Sequence, residues 1–526
     1  MKDCAITRGD LQTSQFNWQR SVYNETEPEF VEVSRWHSTG KKKPGRPEHE
    51  DKDMTGKYKR MQRMQKTQKK MGPSMGGDGE FRQGPYEAQS ILMTQTNNHI
   101  LANQNDYLME KVVERSNLKK ALERVECNKG AAGVDNMQVN ELRPYLKATW
   151  ENIKRELLEG TYKPAPVRRV EIPKPDGGVR LLGIPTVLDR FIQQAIQQVL
   201  TPIFEPTFSD SSYGFRPGKS ARQAVRQAQL FIRQGKRIVV DIDLEKFFDR
   251  VNHDILMSKL ASCIADRPLL RIIRRYLQSG VMLNGCCVAT EEGTPQGGPM
   301  SPLLANIMLN DLDKELTKRG HSFVRYADDC NIYVKSKRAG QRVYQSIGKF
   351  IQEQLKLKVN ESKSAVDYPS KRKFLGFSFT LCWQVKMRIA PRTKTRFKER
   401  IRILTSRSRS MSMKERLEKL NAYINGWSGY FGIAETRSVF QELDEWIRRR
   451  LRMCLFKQWK RCKTKLRNMV AFGIPEKWAG CIAFSRKKYW RLANSPQINK
   501  ALGLAYWRKL GLVSLVDRHY ELLQFS

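Results

Sequence analysis

Two acidic residues stand side by side at Asp328-Asp329, between the strand-like runs Phe323-Val324 and Asn331-Ile332-Tyr333-Val334. Apolar and polar residues alternating on both sides of so short a break predict a β-hairpin with both aspartates at its tip. Adjacent carboxylates are costly to hold together unless cations fill the gap between them. On a tip that faces a groove they are candidate Mg²⁺ ligands, and a pair of such ions can hold the attacking and leaving oxygens of an in-line phosphoryl transfer. An acidic surface turn is the plain alternative. The neighbouring segments decide between the two.

A third carboxylate comes from Arg237-Ile-Val-Val-Asp241-Ile-Asp243-Leu-Glu-Lys-Phe247-Phe248-Asp249. Ile238, Val239 and Val240 are β-branched and run straight into the acidic end, as in a buried strand that delivers a carboxylate at its terminus. Asp241 and Asp243 are two residues apart and project from one face, so either could bind metal.

From here the chain resembles the reverse transcriptase palm. In that family an aromatic that packs under the incoming sugar follows the strand aspartate by five positions. Counting from Asp243 lands on Phe248, and from Asp241 on Lys246. The resemblance therefore implies Asp243, Asp328 and Asp329 as metal ligands, with the Leu244 carbonyl completing the shell. It makes Phe248 the steric gate against ribonucleotides. The implied cofactor is a pair of Mg²⁺ ions, with Mn²⁺ as a substitute. Further blocks follow in the family's order. Gly293-Thr-Pro-Gln296-Gly297-Gly298-Pro-Met-Ser301-Pro302-Leu-Leu-Ala-Asn306, a glycine-rich loop entering an apolar helix, matches the dNTP-pocket segment, where bare glycines admit a nucleotide and Gln296 contacts the templating pair or the dNTP sugar. Lys174-Pro-Asp-Gly-Gly-Val-Arg180 is a turn between two strand-like pieces. In the fingers of a polymerase Lys174 and Arg180 would grip the triphosphate. Lys363 matches the position that protonates the pyrophosphate leaving group. As isolated segments these would be an ordinary helix start, a solvated basic loop and a surface lysine.

Four blocks are similar to one branch, the group II intron-encoded reverse transcriptase/maturases of the bacterial class C-like, endonuclease-lacking kind. They are Asn128-Lys-Gly-Ala-Ala-Gly-Val-Asp135, Ser212-Tyr-Gly-Phe-Arg216-Pro-Gly-Lys-Ser220, Lys373-Phe-Leu-Gly-Phe-Ser-Phe379, and Leu420 to Gly432 followed by Glu442 to Arg452. The implied fold is α+β, a right-hand polymerase with fingers and palm built on antiparallel sheet and then an α-helical thumb. The implied activity is RNA-directed DNA polymerisation by a mobile-intron protein that binds its intron RNA, assists splicing and retrohomes by target-primed reverse transcription. Its partners would be the intron RNA, an RNA template with a DNA primer, target DNA and dNTPs. A splicing factor with a dead palm, or a domesticated reverse transcriptase in phage defence, are the competing readings; the intact aspartates oppose the first and the block at 420–461 the second. Cys454, Cys462 and Cys481 form no metal-binding pairs of the kind an HNH nuclease carries, so the chain is read as lacking that domain and as taking its primer from a nascent strand.

Charge agrees. Among 526 residues, 95 Lys+Arg face 54 Asp+Glu, a net +41, which points to a polyanionic partner. A membrane-surface role is disfavoured because no run of about 18 apolar residues and no secretory signal occurs. The ten cysteines lack CxxC pairs, as expected of reduced thiols inside a cell, and a cytoplasmic, nucleoid-associated location follows. The division expected is 1–85 a disordered basic extension, 86–230 N-terminal helices and fingers, 231–380 palm, 385–470 helical thumb or maturase domain, and 471–526 a basic DNA-binding-like extension. In the thumb, Arg448, Arg449 and Arg450 are expected on a cationic helix face that meets RNA phosphates.

Overall fold

A computed structural model describes residues 107–173, 179–283, 286–288, 292–294 and 297–524. The basic extension expected over 1–85 lies outside them, as do Lys174 and Gln296.

Among the described residues ten strands follow in chain order: β1 Val167–Pro173, β2 Val179–Ile184, β3 Ile238–Ile242, β4 Val281–Leu283, β5 Cys286–Val288, β6 Ser322–Tyr326, β7 Asp329–Val334, β8 Ala365–Asp367, β9 Phe377–Phe379 and β10 Met387–Ile389. The palm sheet has the order β6-β7-β3-β8 and is antiparallel throughout. Its central strand, β3, is covered on both faces, which is why it reads as an unbroken apolar run. Period-two alternation sends Val240 and Ile242 into one core, with the buried face of helix Ser301–Lys318 and with Val343, Ile347 and Ile351. Val239 turns the other way, onto Ala224, Val225 and Ala228 of helix Ala221–Arg233. That helix starts at a capping box in which Ser220 and Gln223 bond each other's backbone. It lies in the stretch expected to form the fingers, yet it packs on the palm.

The second sheet has the order β2-β1-β4-β5. β1 and β2 form the expected antiparallel hairpin, whereas β1 and β4 pair in parallel, so this sheet is mixed and not antiparallel throughout. Strands Val281–Leu283 and Cys286–Val288, inside the stretch expected to be palm, therefore belong to the fingers sheet.

The β9–β10 hairpin leads into helices Pro391–Leu404, Met413–Phe431 and Arg437–Gln458. Proline at the first position and Ser412 at an N-cap open the first two. The last fifty residues are not separate from them. Trp507 and Leu515, both 0% exposed, share a core with Phe440, Leu443 and Ile447. Asp444 accepts hydrogen bonds from Ser514 Oγ at 2.8 Å, Leu515 N at 2.9 Å and Val516 N at 3.1 Å, which caps the helix Leu515–Gln524. Trp507 is core, its Nε1 donating to Leu502 O at 3.0 Å.

Candidate active site

Tyr326 pairs with Asp329, so Ala327 and Asp328 alone form the turn between β6 and β7. Ala327 has φ +56°, a left-handed value that primed hairpin turns need and that alanine adopts at a cost. A buried network sustains it. Arg325 donates through Nη1 to Ala327 O at 2.9 Å and to Asn306 Oδ1 at 2.9 Å. Its Nε and Nη2 grip the Asp313 carboxylate at 2.8 and 2.5 Å, with both side chains 0% exposed. Asn306 Nδ2 then donates to Gly214 O at 2.8 Å. A Cβ at Gly214 would stand 2.3 Å from Ala327 N, so only glycine lets that segment lie under the turn. The block Ser212–Arg216, the helix Ser301–Lys318 and the acidic hairpin thus form one assembly.

The two aspartates of the neighbouring strand have different partners. Asp241 accepts at Oδ2 from both Arg372 Nε at 2.9 Å and Nη2 at 2.6 Å, charge-assisted bonds that offset its charge. Asp243 has no such arginine. Its backbone is stitched to the turn after Val359, donating from N to Ser364 Oγ at 3.0 Å and accepting at O from Asn360 N at 2.8 Å. This brings Lys363 Nζ to 3.4 Å from Asp243 Oδ2, which is buried and makes no hydrogen bond. Leu244 is buried and bridges to Val359.

Stripping of solvent by the surrounding protein, followed by the charges of Asp328, Asp241 and Asp243, pushes the Asp329 carboxyl up to about 7. The residue itself is exposed at the start of β7, so the packed protein shields only one side of its carboxylate. Asp328 is raised for the same two reasons, burial first and then Asp243, while Arg180 and Lys363 draw it back down. These groups therefore share one field although they come from three elements. Hard carboxylate oxygens, mutual repulsion and the orphaned Asp243 oxygen suit a divalent cation. Among the described residues no three such side chains are gathered around one point.

Phe248 lies in a short 3₁₀ turn beyond β3, edge-on to the buried Phe247 with ring centroids 5.1 Å apart. Its carbonyl accepts from Thr294 N at 2.7 Å, which fixes the glycine-rich segment to it. At the other end of that segment Gly297 has φ +136°, and a Cβ there would stand 2.5 Å from Gly183 O of β2. Glycine is required for this loop to touch the strand that carries Arg180.

Residues 172–379 match the family model described as reverse transcriptase (RNA-dependent DNA polymerase), and 394–472 match the maturase-specific domain of group II introns. Protein YkfC of Escherichia coli (strain K12) is 32% identical over 301 residues, which are 50% of this chain and 79% of that protein. The chain belongs to the group II intron reverse transcriptase/maturase family. Other relatives agree. Group II intron-encoded protein LtrA of Lactococcus lactis subsp. cremoris is 31% identical over 293 residues, 43% of this chain and 49% of LtrA. The putative COX1/OXI3 intron 2 protein of Saccharomyces cerevisiae is 30% identical over 247 residues, 45% of this chain and 28% of its own length. The chain thus joins an RNA-directed DNA polymerase domain, of a family dependent on divalent metal, to a maturase domain. Among the described residues no helix is long and apolar enough to cross a membrane.

The maturase helices revise one expectation. Arg449 reaches Trp490 O at 3.1 Å and lies 3.9 Å over the Trp490 ring. Arg450 donates to Thr405 Oγ1 at 2.9 Å and to Thr405 O at 3.1 Å. Two of the three arginines expected to meet RNA therefore hold the domain together. Arg452 is buried outright on Ala493 O at 2.8 Å. Sequence reasoning missed the inward turn because arginine reads as exposed unless its acceptor carbonyls, here some 40 residues distant, are known. It also missed Asp313 and Arg372, and gave Asn306, the last residue of the dNTP-pocket block, no role; the spacing of Asp313 on the buried face of helix Ser301–Lys318 was the one available signal for it.

Proposed function

We propose that this protein copies RNA into DNA with Asp243, Asp328 and Asp329 as its metal ligands, and that it also binds its intron RNA, assists splicing and inserts the intron into nucleoid DNA by target-primed reverse transcription. The observation that carries the reading is the division between the strand aspartates. Arg372 occupies Asp241, and Asp243 is left facing the field of Asp328 and Asp329. Two Mg²⁺ ions held by these three carboxylates and the Leu244 carbonyl, with Mn²⁺ as a substitute, would activate the primer hydroxyl and stabilise charge on the leaving pyrophosphate. Arg180, on the strand beside the glycine loop and felt electrostatically at Asp328, orients the dNTP triphosphate together with Lys174, and Gln296 contacts the templating pair or the dNTP sugar. Lys363, within ion-pair distance of Asp243, donates the proton that pyrophosphate takes up. Phe248 fills the space a 2′-hydroxyl would need.

The test is single-nucleotide incorporation on an RNA template. Wild-type protein extends a DNA primer with dNTPs and rejects rNTPs; Phe248→Ala admits rNTPs while keeping dNTP incorporation. Unchanged discrimination would mean that Phe248 is not the gate and that the register giving Asp243 is wrong.

A second expectation concerns pH. A carboxyl raised from its ordinary range to about 7 favours the protonated folded state, so folded protein without metal loses stability as pH rises from about 4 to 7. Protons and Mg²⁺ compete for the same oxygens. Added Mg²⁺ should therefore raise Tm more at pH 8 than at pH 6, and Asp329→Asn should remove that difference. Equal Mg²⁺ shifts at both pH values in the wild type would contradict this.

A further inference from the structure

Trp383 sits between β9 and β10 and is 97% exposed, although a free indole face in water is unfavourable. It borders a cleft of about 350 Å³ whose lining includes Arg233, Arg237, Lys386 and Glu435. Arg237 and Lys386 are exposed. Glu435, the one acid of the lining, is already engaged by Gln229 Nε2 at 2.6 Å, by Met387 N at 2.7 Å and by Arg233 at 3.4 Å. The cleft thus offers a bare aromatic face with two cations whose charge nothing in it offsets. Through Arg233 and Glu435 it continues into a second cleft of about 700 Å³ along helix Ala221–Arg233, where Arg226 is exposed.

This surface is not the polymerase centre. Arg237 enters β3 at the end opposite Asp243, six residues away, roughly 20 Å at ~3.4 Å per strand residue. It lies at the seam of the two matched regions, with Arg233 and Arg237 from the polymerase part and Glu435 from the maturase-specific part.

We propose that Trp383 stacks on an unpaired base of a bound RNA strand whose phosphates lie on Arg237 and Lys386, the strand continuing toward Arg226. Stacking needs a base released from a duplex, so the occupant is a single-stranded loop or end. The cations exclude an apolar or basic partner. The choice of RNA over DNA rests on the maturase reading, because the cleft is shared with that domain.

The test measures binding of an unstructured twelve-nucleotide RNA to the full chain while excess primer–template duplex fills the polymerase groove. Trp383→Ala should weaken this binding about tenfold, and Trp383→Phe should largely restore it. Replacing both Arg237 and Lys386 by Gln should lower the log–log salt slope by about 1.4, at ~0.7 per single-strand phosphate. Primer extension by Trp383→Ala should match wild type, which also shows the variant to be folded. RNA binding unchanged in Trp383→Ala would overturn the proposal, and would leave this face to an acidic protein partner. Equal dependence of a DNA twelve-mer on Trp383 would overturn the RNA assignment. Failure of the polymerase reading looks different: the wild type would not extend primers, while the Trp383 effect on RNA binding stood.

Discussion

Asp243→Asn and Asp328→Ala should each reduce RNA-templated primer extension by at least about 10³-fold, since loss of one ligand to a catalytic metal forfeits several kcal/mol of transition-state stabilisation. Asp243 has no substitute nearby, because Asp241 is committed to Arg372. Replacing the Asp243 carboxylate by an amide keeps the backbone bonds to Asn360 and Ser364, which use main-chain atoms. The fold should therefore survive, with an unchanged melting temperature. Splicing assistance should survive too, as it depends on RNA-binding surfaces and not on the metals. The measurement is paired: extension and intron splicing on one preparation of each variant. Equal loss of both activities in folded protein would refute this division of labour. Asp241→Asn is the internal control. It should lower stability by weakening the Arg372 clamp, yet leave extension measurable.

Those expectations separate what the amino-acid order reveals from what it hides. Local period revealed β3 and the acidic hairpin, because each depends on residues within a few positions of one another; the preference for Asp243 over Asp241 came from the family resemblance. The partner that sets Asp241 apart from Asp243 was hidden. Arg372 meets Asp241 across 131 positions, and nothing in either segment announces the other. The thumb was legible as amphipathic helices, since Leu451 and Leu455 are buried as their spacing demands. Its cationic face was not, because a backbone carbonyl is an acceptor that leaves no mark in the sequence. Arg449, Arg450 and Arg452 all end on such carbonyls. The C-terminal helices read as a basic appendage for a related reason. Asp444, which caps the last of them, looks like one more surface acid until residue 515 is brought beside it.

Asp313→Ala should destabilise the protein by about 3–5 kcal/mol, because it leaves the Arg325 guanidinium buried without its counter-ion. Unfolding in urea measures this directly. A second consequence distinguishes a merely structural ion pair from one that positions the active site. Arg325 also holds Ala327 O and Asn306, so it fixes the left-handed turn residue next to Asp328. Replacing the pair together, as Arg325→Met with Asp313→Leu, removes both charges and can restore stability, since apolar side chains of similar volume often replace a buried pair without loss. It cannot restore the two bonds that hold the turn. The double variant should therefore regain most of the lost stability and still extend primers at least about tenfold more slowly than wild type, as misplacement of a reacting group by an ångström costs up to about 10²-fold. Its Mg²⁺ requirement should also rise, because Asp328 no longer waits in a fixed position. A double variant that recovers wild-type stability, rate and Mg²⁺ dependence together would show that packing alone sets the hairpin, and that Arg325 contributes nothing to catalysis beyond filling its space.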